Sequence, residues 1–144
     1  MKKKDTEKVV VYTYGVFDLF HRGHVQLLKD AKKLGDKLVV GVFTDEVAKS
    51  FKRAPVICYE DRKHMVEHCA FVDSVVVQKH LQPDANLKKL KPHILAKGPG
   101  AGWGEGEKTP GEATMRKMRG KVVKLPYHGG ISTSDIIHKI KKHH

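Results

Sequence analysis

The chain has no long apolar run, only two cysteines and few aromatic residues, and it has far fewer acids than bases. No stretch approaches the ~18–20 apolar residues of a membrane span, and residues 1–5 lack the apolar segment of a secretory signal. Cys58 and Cys69 do not have the spacing of a metal site. These absences predict a cytoplasmic protein with free thiols and no membrane anchor.

The usual nucleotide fingerprints are also missing. The sequence contains neither G-x-x-x-x-G-K-[ST] nor G-x-G-x-x-G. Its serines lie in predicted caps and turns, so no Ser/His/Asp nucleophile can be argued. His21 and His24 are close in sequence, but no third and fourth ligand stands at a suitable spacing for zinc. We therefore predict no metal-ligating residues.

The 28 basic residues outnumber the 16 acidic residues and give a net charge of +12. This excess predicts a polyanionic partner, either nucleic acid or a small phosphorylated compound. A nucleic-acid module needs an ordered basic face with stacking aromatics, whereas these lysines lie mostly at helix surfaces and chain ends. We predict a basic tail over residues 1–8, one folded domain over residues 9–142, and a possible tag remnant at His143 and His144.

Apolar, strand-like runs alternate with helix-like segments along the whole chain. The predicted strands cover residues 9–11, 38–43, 72–77, 93–96 and 121–125, and helical patterns separate them. Such alternation predicts an α/β fold: a single Rossmann-like domain with an open, mainly parallel five-stranded sheet and helices on both faces. A glycine-rich stretch at 97–111 interrupts the pattern, and a long loop of this kind is usually functional or mobile.

The first strand runs directly into a glycine turn and a helix start. This geometry aims free backbone N–H groups and the positive helix end at a phosphate. The stretch contains two histidines in the first helical turn, whose ring nitrogens can reach the same anion. We predict a nucleotide-phosphate site formed by Gly15, Val16, Phe17, His21, Gly23 and His24.

A second anion site is predicted where the last helix begins. Gly130 allows a close approach, and Ser132 and Thr133 supply hydroxyls and free N–H groups at the helix start. Two helix N-termini at one sheet edge can hold a triphosphate from two sides. The basic pair Lys52 and Arg53 follows the second strand and is expected at the same edge.

Residues 15–24, G-V-F-D-L-F-H-R-G-H, resemble the signature of the cytidylyltransferase family, which includes the glycerol-3-phosphate, phosphocholine and phosphoethanolamine enzymes. Residues 130–135, G-I-S-T-S-D, resemble that family's second signature, and the likeness runs from about residue 9 to residue 140. It implies a reaction of CTP and Mg²⁺ with a phosphorylated small alcohol, release of pyrophosphate, and a homodimer.

The resemblance also implies roles for individual residues. The catalytic residues would be His21, His24 and Lys52, and the acceptor would contact Asp18 and Lys52. Trp103, in the glycine-rich stretch, either contacts the acceptor's head group or anchors its loop. Asp18 is expected to orient its loop rather than bind metal. The nucleotide would contact the first-motif residues together with Arg62, Tyr127, His128, Gly130, Ile131, Ser132 and Thr133. For Arg62 the alternative role is packing or an ion pair.

The chain departs from the family pattern at two points. Tyr127-His128-Gly129-Gly130 stands where the family usually has R-T-E-G, and Lys97-Gly98 stands where many members have an aspartate. Glycerol 3-phosphate is the favoured acceptor, with phosphocholine and phosphoethanolamine as alternatives. An adenylyltransferase making activated sugars or flavin cofactors and a non-catalytic nucleic-acid module remain the alternative functions.

Overall fold

The computed structural model of the protein describes residues 8–144, which form one α/β domain. Its five strands make a single sheet in the order β3-β2-β1-β4-β5, and every pairing is parallel. This arrangement confirms the predicted Rossmann-like fold. In chain order the elements are β1 (Val10–Gly15), α1 (Arg22–Lys32), β2 (Lys37–Phe43), α2 (Asp45–Phe51), α3 (Tyr59–Glu67), β3 (Ser74–Gln78), α4 (Asp84–Leu90), β4 (Ile94–Lys97), α5 (Glu112–Lys117), β5 (Lys121–Lys124) and α6 (Thr133–His143).

The central strand β1 pairs with β2 over its full length but with β4 over only part of it. Its pairing with β2 continues to its last residue, Gly15, opposite Val42. Its pairing with β4 ends at Tyr12, opposite Leu95. The strand order reverses at this boundary, and in open α/β sheets ligands bind in the crevice outside the carboxyl ends of the strands at such a point.

Each face of the sheet is covered by helices, as predicted. On one face Leu28 of α1 and Val66 of α3 pack with the strand residues Val11 and Val40. On the other face Leu87 of α4 and Met115 of α5 pack against Tyr12 and Leu95. The core is therefore split between two layers, and the carboxyl edge of the sheet remains free to form a site.

The predicted boundaries differ from the structure by a few residues. β3 begins at Ser74, opposite Val39, and the Asp73 carboxylate before it accepts a hydrogen bond from Leu38 N at 2.7 Å. The helical pattern of the sequence extends over 112–119, whereas α5 ends at Lys117 and Arg119 adopts a left-handed φ of 60°. α6 continues to His143. Of the predicted basic tail, residues 1–7 lie outside the described residues.

Within residues 8–144 no helix is both long enough and apolar enough to cross a bilayer.

Candidate active site

A cavity of about 600 Å³ opens at the carboxyl edge of the sheet, over the boundary between β1 and β4. It collects the ends of β1, β2 and β4 and the starts of α1 and α6. Its lining includes seven of the predicted site residues: Gly15, Val16, Phe17, Asp18, His24, Lys52 and Thr133. The sequence motifs therefore converge on one cavity, as the parallel sheet requires.

The loop between β1 and α1 is held in a conformation that ordinary residues avoid. Phe17 and Leu19 have φ values of 56° and 52°, and Phe17 is only 5% exposed. The Asp18 carboxylate accepts hydrogen bonds from Val56 N at 2.8 Å and Ile57 N at 2.9 Å. Strained backbone of this kind persists only where its surroundings fix it. Asp18 thus ties the loop to the segment that follows Lys52, as expected of a residue that orients its loop.

His21 is the N-cap of α1 and its ring is fixed from two sides. Its Nδ1 accepts a hydrogen bond from Gly23 N at 3.0 Å. Its Nε2 therefore bears the proton and lies 3.4 Å from Thr133 Oγ1. A Cβ on Gly23 would lie 2.9 Å from the His21 ring, so glycine is needed between the two histidines.

His24 presents a neutral hydrogen-bond donor to the cavity. Its Nδ1 accepts a hydrogen bond from His21 N at 3.1 Å, so the proton is on Nε2. Its ring stacks on that of His21 with centroids 3.8 Å apart and also contacts Phe17 and Phe20. Burial, reinforced by His21 and Lys52, lowers the pKa of His24 to about 3. Near neutral pH the ring therefore donates without being charged.

The start of α6 meets the start of α1 across the cavity. Ser132 caps α6, its Oγ accepting from Asp135 N at 3.1 Å. Thr133 Oγ1 donates to the backbone carbonyl of Asp18 at 2.8 Å. These contacts bring two positive helix ends to one place, which is a favourable arrangement for an extended polyphosphate.

Two basic residues close the β2 side of the cavity. Lys52 follows α2 directly, lies in the cavity lining and is near enough to His24 to lower the pKa of that ring. Arg53 Nη1 donates to Ser134 Oγ at 3.3 Å, which joins this loop to the first turn of α6. Positive charge therefore lies beside the neutral His24 donor.

The comparison with known proteins agrees with this geometry. A profile described as cytidylyltransferase-like matches residues 12–139. The chain belongs to the cytidylyltransferase-like family. It is accordingly a nucleotidyltransferase domain, which confirms the activity class that the sequence motifs indicate.

Several members and neighbours of this family are similar over most of the chain. The bifunctional protein HldE of Campylobacter fetus is 39% identical over 136 residues, which is 93% of this chain and 28% of that protein. The FAD synthase of Pyrococcus horikoshii is 38% identical over 143 residues, 92% of this chain and 93% of that protein. The chain thus spans about a quarter of the HldE protein and nearly all of the FAD synthase.

A solved structure is also similar. The lipopolysaccharide core biosynthesis protein of Thermoplasma volcanium superposes with a TM-score of 0.76 at 27% identity, covering 85% of this chain and all of that one. The match supports the order of strands and helices described above.

Arg62, predicted to bind the nucleotide, is placed elsewhere. It is 1% exposed and donates hydrogen bonds to the carbonyls of Ile57, Val16 and Phe43 and to the Asp45 carboxylate, at 2.6–2.9 Å. These bonds use four of its five N–H groups. The nucleotide-contact assignment is therefore corrected: Arg62 holds together the ends of β1 and β2, beneath the cavity rather than in it.

Eight other predicted site residues also lie outside the cavity lining. His21 and Gly23 belong to the start of α1, and Gly130, Ile131 and Ser132 lead into α6. The remaining three are Tyr127, His128 and Trp103. Tyr127 is 64% exposed. His128 Nε2 is 2.6 Å from the Asp30 carboxylate on the surface of α1. Trp103 Nε1 donates to the carbonyl of Leu125 at 2.7 Å and anchors the glycine-rich loop to the end of β5. The structure thus does not bring the residues that replace R-T-E-G, or the tryptophan, to the site.

The sequence reasoning missed part of the lining. Tyr14, Phe43, Phe51 and Leu81 form an apolar side of the cavity, and Lys97 lies at the end of β4. Lys97 could have been found from its position, because the carboxyl ends of adjacent parallel strands meet at one edge. Tyr14, Phe43 and Phe51 fit the strand and helix patterns of the sequence, so no local signal indicated that they line a cavity.

The described residues do not form a protein metal site: no group of three or more His, Cys, Asp or Glu side chains in residues 8–144 could hold an ion. Asp18, the acid in the lining, has both oxygens bonded to backbone amides. The Mg²⁺ implied by the resemblance therefore has no cage of protein ligands here, and the nucleotide phosphates would have to provide its ligands.

Proposed function

We propose that this chain transfers an adenylyl group from ATP to the phosphate of a small phosphorylated acceptor. The observation on which the proposal rests is the neutral Nε2–H of His24, which faces a cavity at the N-termini of α1 and α6. Such preorganised donors stabilise charge that develops on phosphate oxygens in the transition state.

The choice of ATP rests on the relatives. FAD is an adenylyl ester of a flavin phosphate, and the FAD synthase of Pyrococcus horikoshii matches this chain over nearly its full length. The sequence alone favours CTP, because I-S-T-S-D resembles the second cytidylyltransferase signature, and glycerol 3-phosphate is the acceptor that the sequence analysis favours. A CTP-dependent enzyme is therefore the second candidate.

In the proposed reaction an acceptor phosphate oxygen attacks the α-phosphorus of ATP. The new P–O bond forms as the bond from the α-phosphorus to the bridging oxygen breaks, and pyrophosphate leaves with that electron pair. His24 donates to the phosphoryl oxygens, the two helix N-termini hold the polyphosphate, and Lys52 neutralises charge between acceptor and nucleotide. Positioning and charge stabilisation account for such catalysis without a protein nucleophile.

Thr133 and His21 have a supporting role in this proposal. His21 aligns the backbone N–H groups of the first turn of α1, and Thr133 keeps α6 against the loop that contains Asp18. Gly130 and Ile131 lead the chain into α6, with Gly130 at a φ of 104°. A substitution at either supporting side chain should act through alignment rather than through a lost contact to the reacting phosphate.

The test is a pyrophosphate-release assay that crosses ATP and CTP against several acceptors. The acceptors are FMN, a hexose 1-phosphate, glycerol 3-phosphate, phosphocholine and phosphoethanolamine. Turnover with ATP supports the proposal, whereas turnover with CTP and glycerol 3-phosphate would favour the second candidate. Binding of neither nucleotide in calorimetry would contradict both. Light scattering on the same sample would test the predicted homodimer.

A further inference from the structure

One half of the cavity is not occupied by the phosphate-binding groups. It is formed by Tyr14, Phe43 and Phe51, here called the aromatic wall. The ring of Phe43 contacts that of Tyr14 edge-on, with centroids 5.5 Å apart, and that of Phe51 with centroids 5.3 Å apart. Phe51 is 45% exposed, and Leu81, which also lines the cavity, is 47% exposed. Exposed large apolar side chains at a cavity mouth mark a place where a ligand is bound.

Lys97 stands at the inner end of this wall. Its Nζ lies 5.7 Å from the centroid of the Tyr14 ring and 3.1 Å from the carbonyl oxygen of Gly98. The side chain is half-buried, and burial lowers the pKa of its ammonium group. A cation removed from water in this way gains from an electron-rich partner.

Within the described part of the chain, the Lys97 ammonium group has the Tyr14 ring and the Gly98 carbonyl oxygen as neighbours but no anionic partner. No carboxylate of residues 8–144 forms an ion pair with it. The acid in the cavity lining, Asp18, has its two oxygens bonded to Val56 N and Ile57 N. Lys52 and Arg53 add further positive charge to the same lining. The cavity therefore disfavours a cationic acceptor group.

The aromatic wall and the positive charge of the lining together restrict which class of acceptor can bind in the cavity. A quaternary ammonium or a primary ammonium, as in phosphocholine or phosphoethanolamine, would be placed near uncompensated lysines and desolvated there. Glycerol 3-phosphate has no apolar body to cover the exposed Phe51 ring. A planar ring satisfies the aromatic wall by stacking, and carbonyl oxygens or ring nitrogens on it satisfy Lys97.

We propose that the acceptor is a phosphate ester of a planar heteroaromatic ring system, which packs against the aromatic wall and is bound through its carbonyl oxygens or ring nitrogens by Lys97. This inference rests on the proposed function, since it assigns the acceptor of the same reaction. Lys97 is a specificity-determining residue that lies away from the transferred phosphoryl group. The Pyrococcus horikoshii relative, whose name specifies a flavin product, is consistent with this acceptor class.

FMN is the probe that tests the assignment, because its fluorescence is quenched when its ring stacks on aromatic side chains. We expect saturable quenching by the wild-type protein. Lys97→Met should weaken FMN binding by roughly tenfold, the factor for one hydrogen bond to a charged donor. Lys97→Arg should restore most of the affinity, and Phe51→Ala should weaken binding by a similar factor. Lys89→Met, an exposed lysine on α4, is the matched control and should bind like wild type.

A second readout separates specificity from stability. Lys97→Met should raise the KM for FMN and leave the KM for ATP unchanged, and its thermal midpoint should match that of Lys89→Met. It should also relieve the discrimination against phosphocholine in competition with FMN. A merely structural role for Lys97 would move both KM values and the thermal midpoint together.

Three results would overturn the assignment: no FMN binding by wild type, equal FMN binding by wild type and Lys97→Met, or displacement of FMN by phosphocholine at comparable concentration. If pyrophosphate is nonetheless released from ATP with another acceptor, the proposed adenylyl transfer stands and only the acceptor class fails. If FMN binds but no acceptor releases pyrophosphate from ATP, the proposed function fails instead.

Discussion

Thr133 Oγ1 lies 3.4 Å from His21 Nε2 and donates its own hydrogen to the carbonyl of Asp18. Because His21 Nδ1 is already an acceptor, its Nε2–H is directed at the threonine oxygen. One hydroxyl thus joins the N-cap of α1, the strained loop before it and the first turn of α6. The alignment of the two helix N-termini depends on this group.

Thr133→Val removes the hydroxyl and keeps the shape of the side chain. We expect kcat/KM for the nucleotide to fall by roughly tenfold, on the scale of one or two lost hydrogen bonds. Thr133→Ser keeps the oxygen and should retain most of the activity, which steady-state kinetics on the three proteins would show. Equal activity of the valine and wild-type proteins would contradict the proposed alignment.

His24→Ala removes the neutral donor from the cavity. Loss of a preorganised donor lowers turnover by roughly two to three powers of ten, and we expect a loss of that size. The control is His138→Ala, because His138 is exposed on α6, beyond its first turn. Turnover is measured by pyrophosphate release, and near-normal turnover of His24→Ala would exclude the proposed role.

The lowered pKa of His24 makes folding stability depend on pH. The folded-state pKa is about 3 and the ordinary value is 6.5, so the unfolded chain binds more protons between these two values. This contribution to the free energy of unfolding is therefore complete above pH 6.5 and is lost as the pH falls toward 3. The loss is at most about 1.4 kcal/mol per pH unit from this group.

Urea unfolding at pH 7.5 and pH 5 measures that dependence. His24→Gln has no titrating ring, so the fall in unfolding free energy between the two pH values should be smaller in the variant than in wild type. Equal falls in both proteins would show that the histidine titrates normally. His138→Gln should behave like wild type in the same experiment.

Arg62→Met tests the structural role that replaces the predicted nucleotide contact. The change leaves three backbone carbonyls and the Asp45 carboxylate without their donor. Breaking a buried charged network of this kind costs about 3–5 kcal/mol of unfolding free energy. Arg116→Met, at an exposed position of α5, should cost far less. Denaturant unfolding distinguishes the two, and a stable Arg62→Met protein with impaired nucleotide binding would support the original prediction.

The fold and the phosphate half of the site were predictable because local patterns specify them. Strand runs, the glycine turn before His21 and the Ser132 cap each have a local signature, and a parallel sheet brings their ends together. For Arg62 the sequence left a nucleotide contact and a packing or ion-pair role open, because a position at a helix start does not reveal that the guanidinium is buried. That fact depends on carbonyls of three separate segments, which only the folded chain brings together.

The aromatic wall was not predictable for a similar reason. Tyr14, Phe43 and Phe51 fit strand and helix patterns, and their common place in the cavity lining arises from the register of β1 against β2 and from the direction of α2. For Trp103, the one tryptophan of the chain, the sequence left two roles open, an acceptor contact and a loop anchor. The structure shows the second, because its indole N–H holds the glycine-rich loop to the end of β5.

The contact between Thr133 and Asp18 joins residues 115 positions apart, and none of the side chains of α6 is buried. Segments with little buried surface open at lower free energy than the body of a domain. Amide hydrogens of α6 should therefore exchange with deuterium earlier than those of β1 and β2. The two helix N-termini would then separate and come together again repeatedly within the native state, and a bound nucleotide should slow exchange in α6 more than in the strands of the sheet.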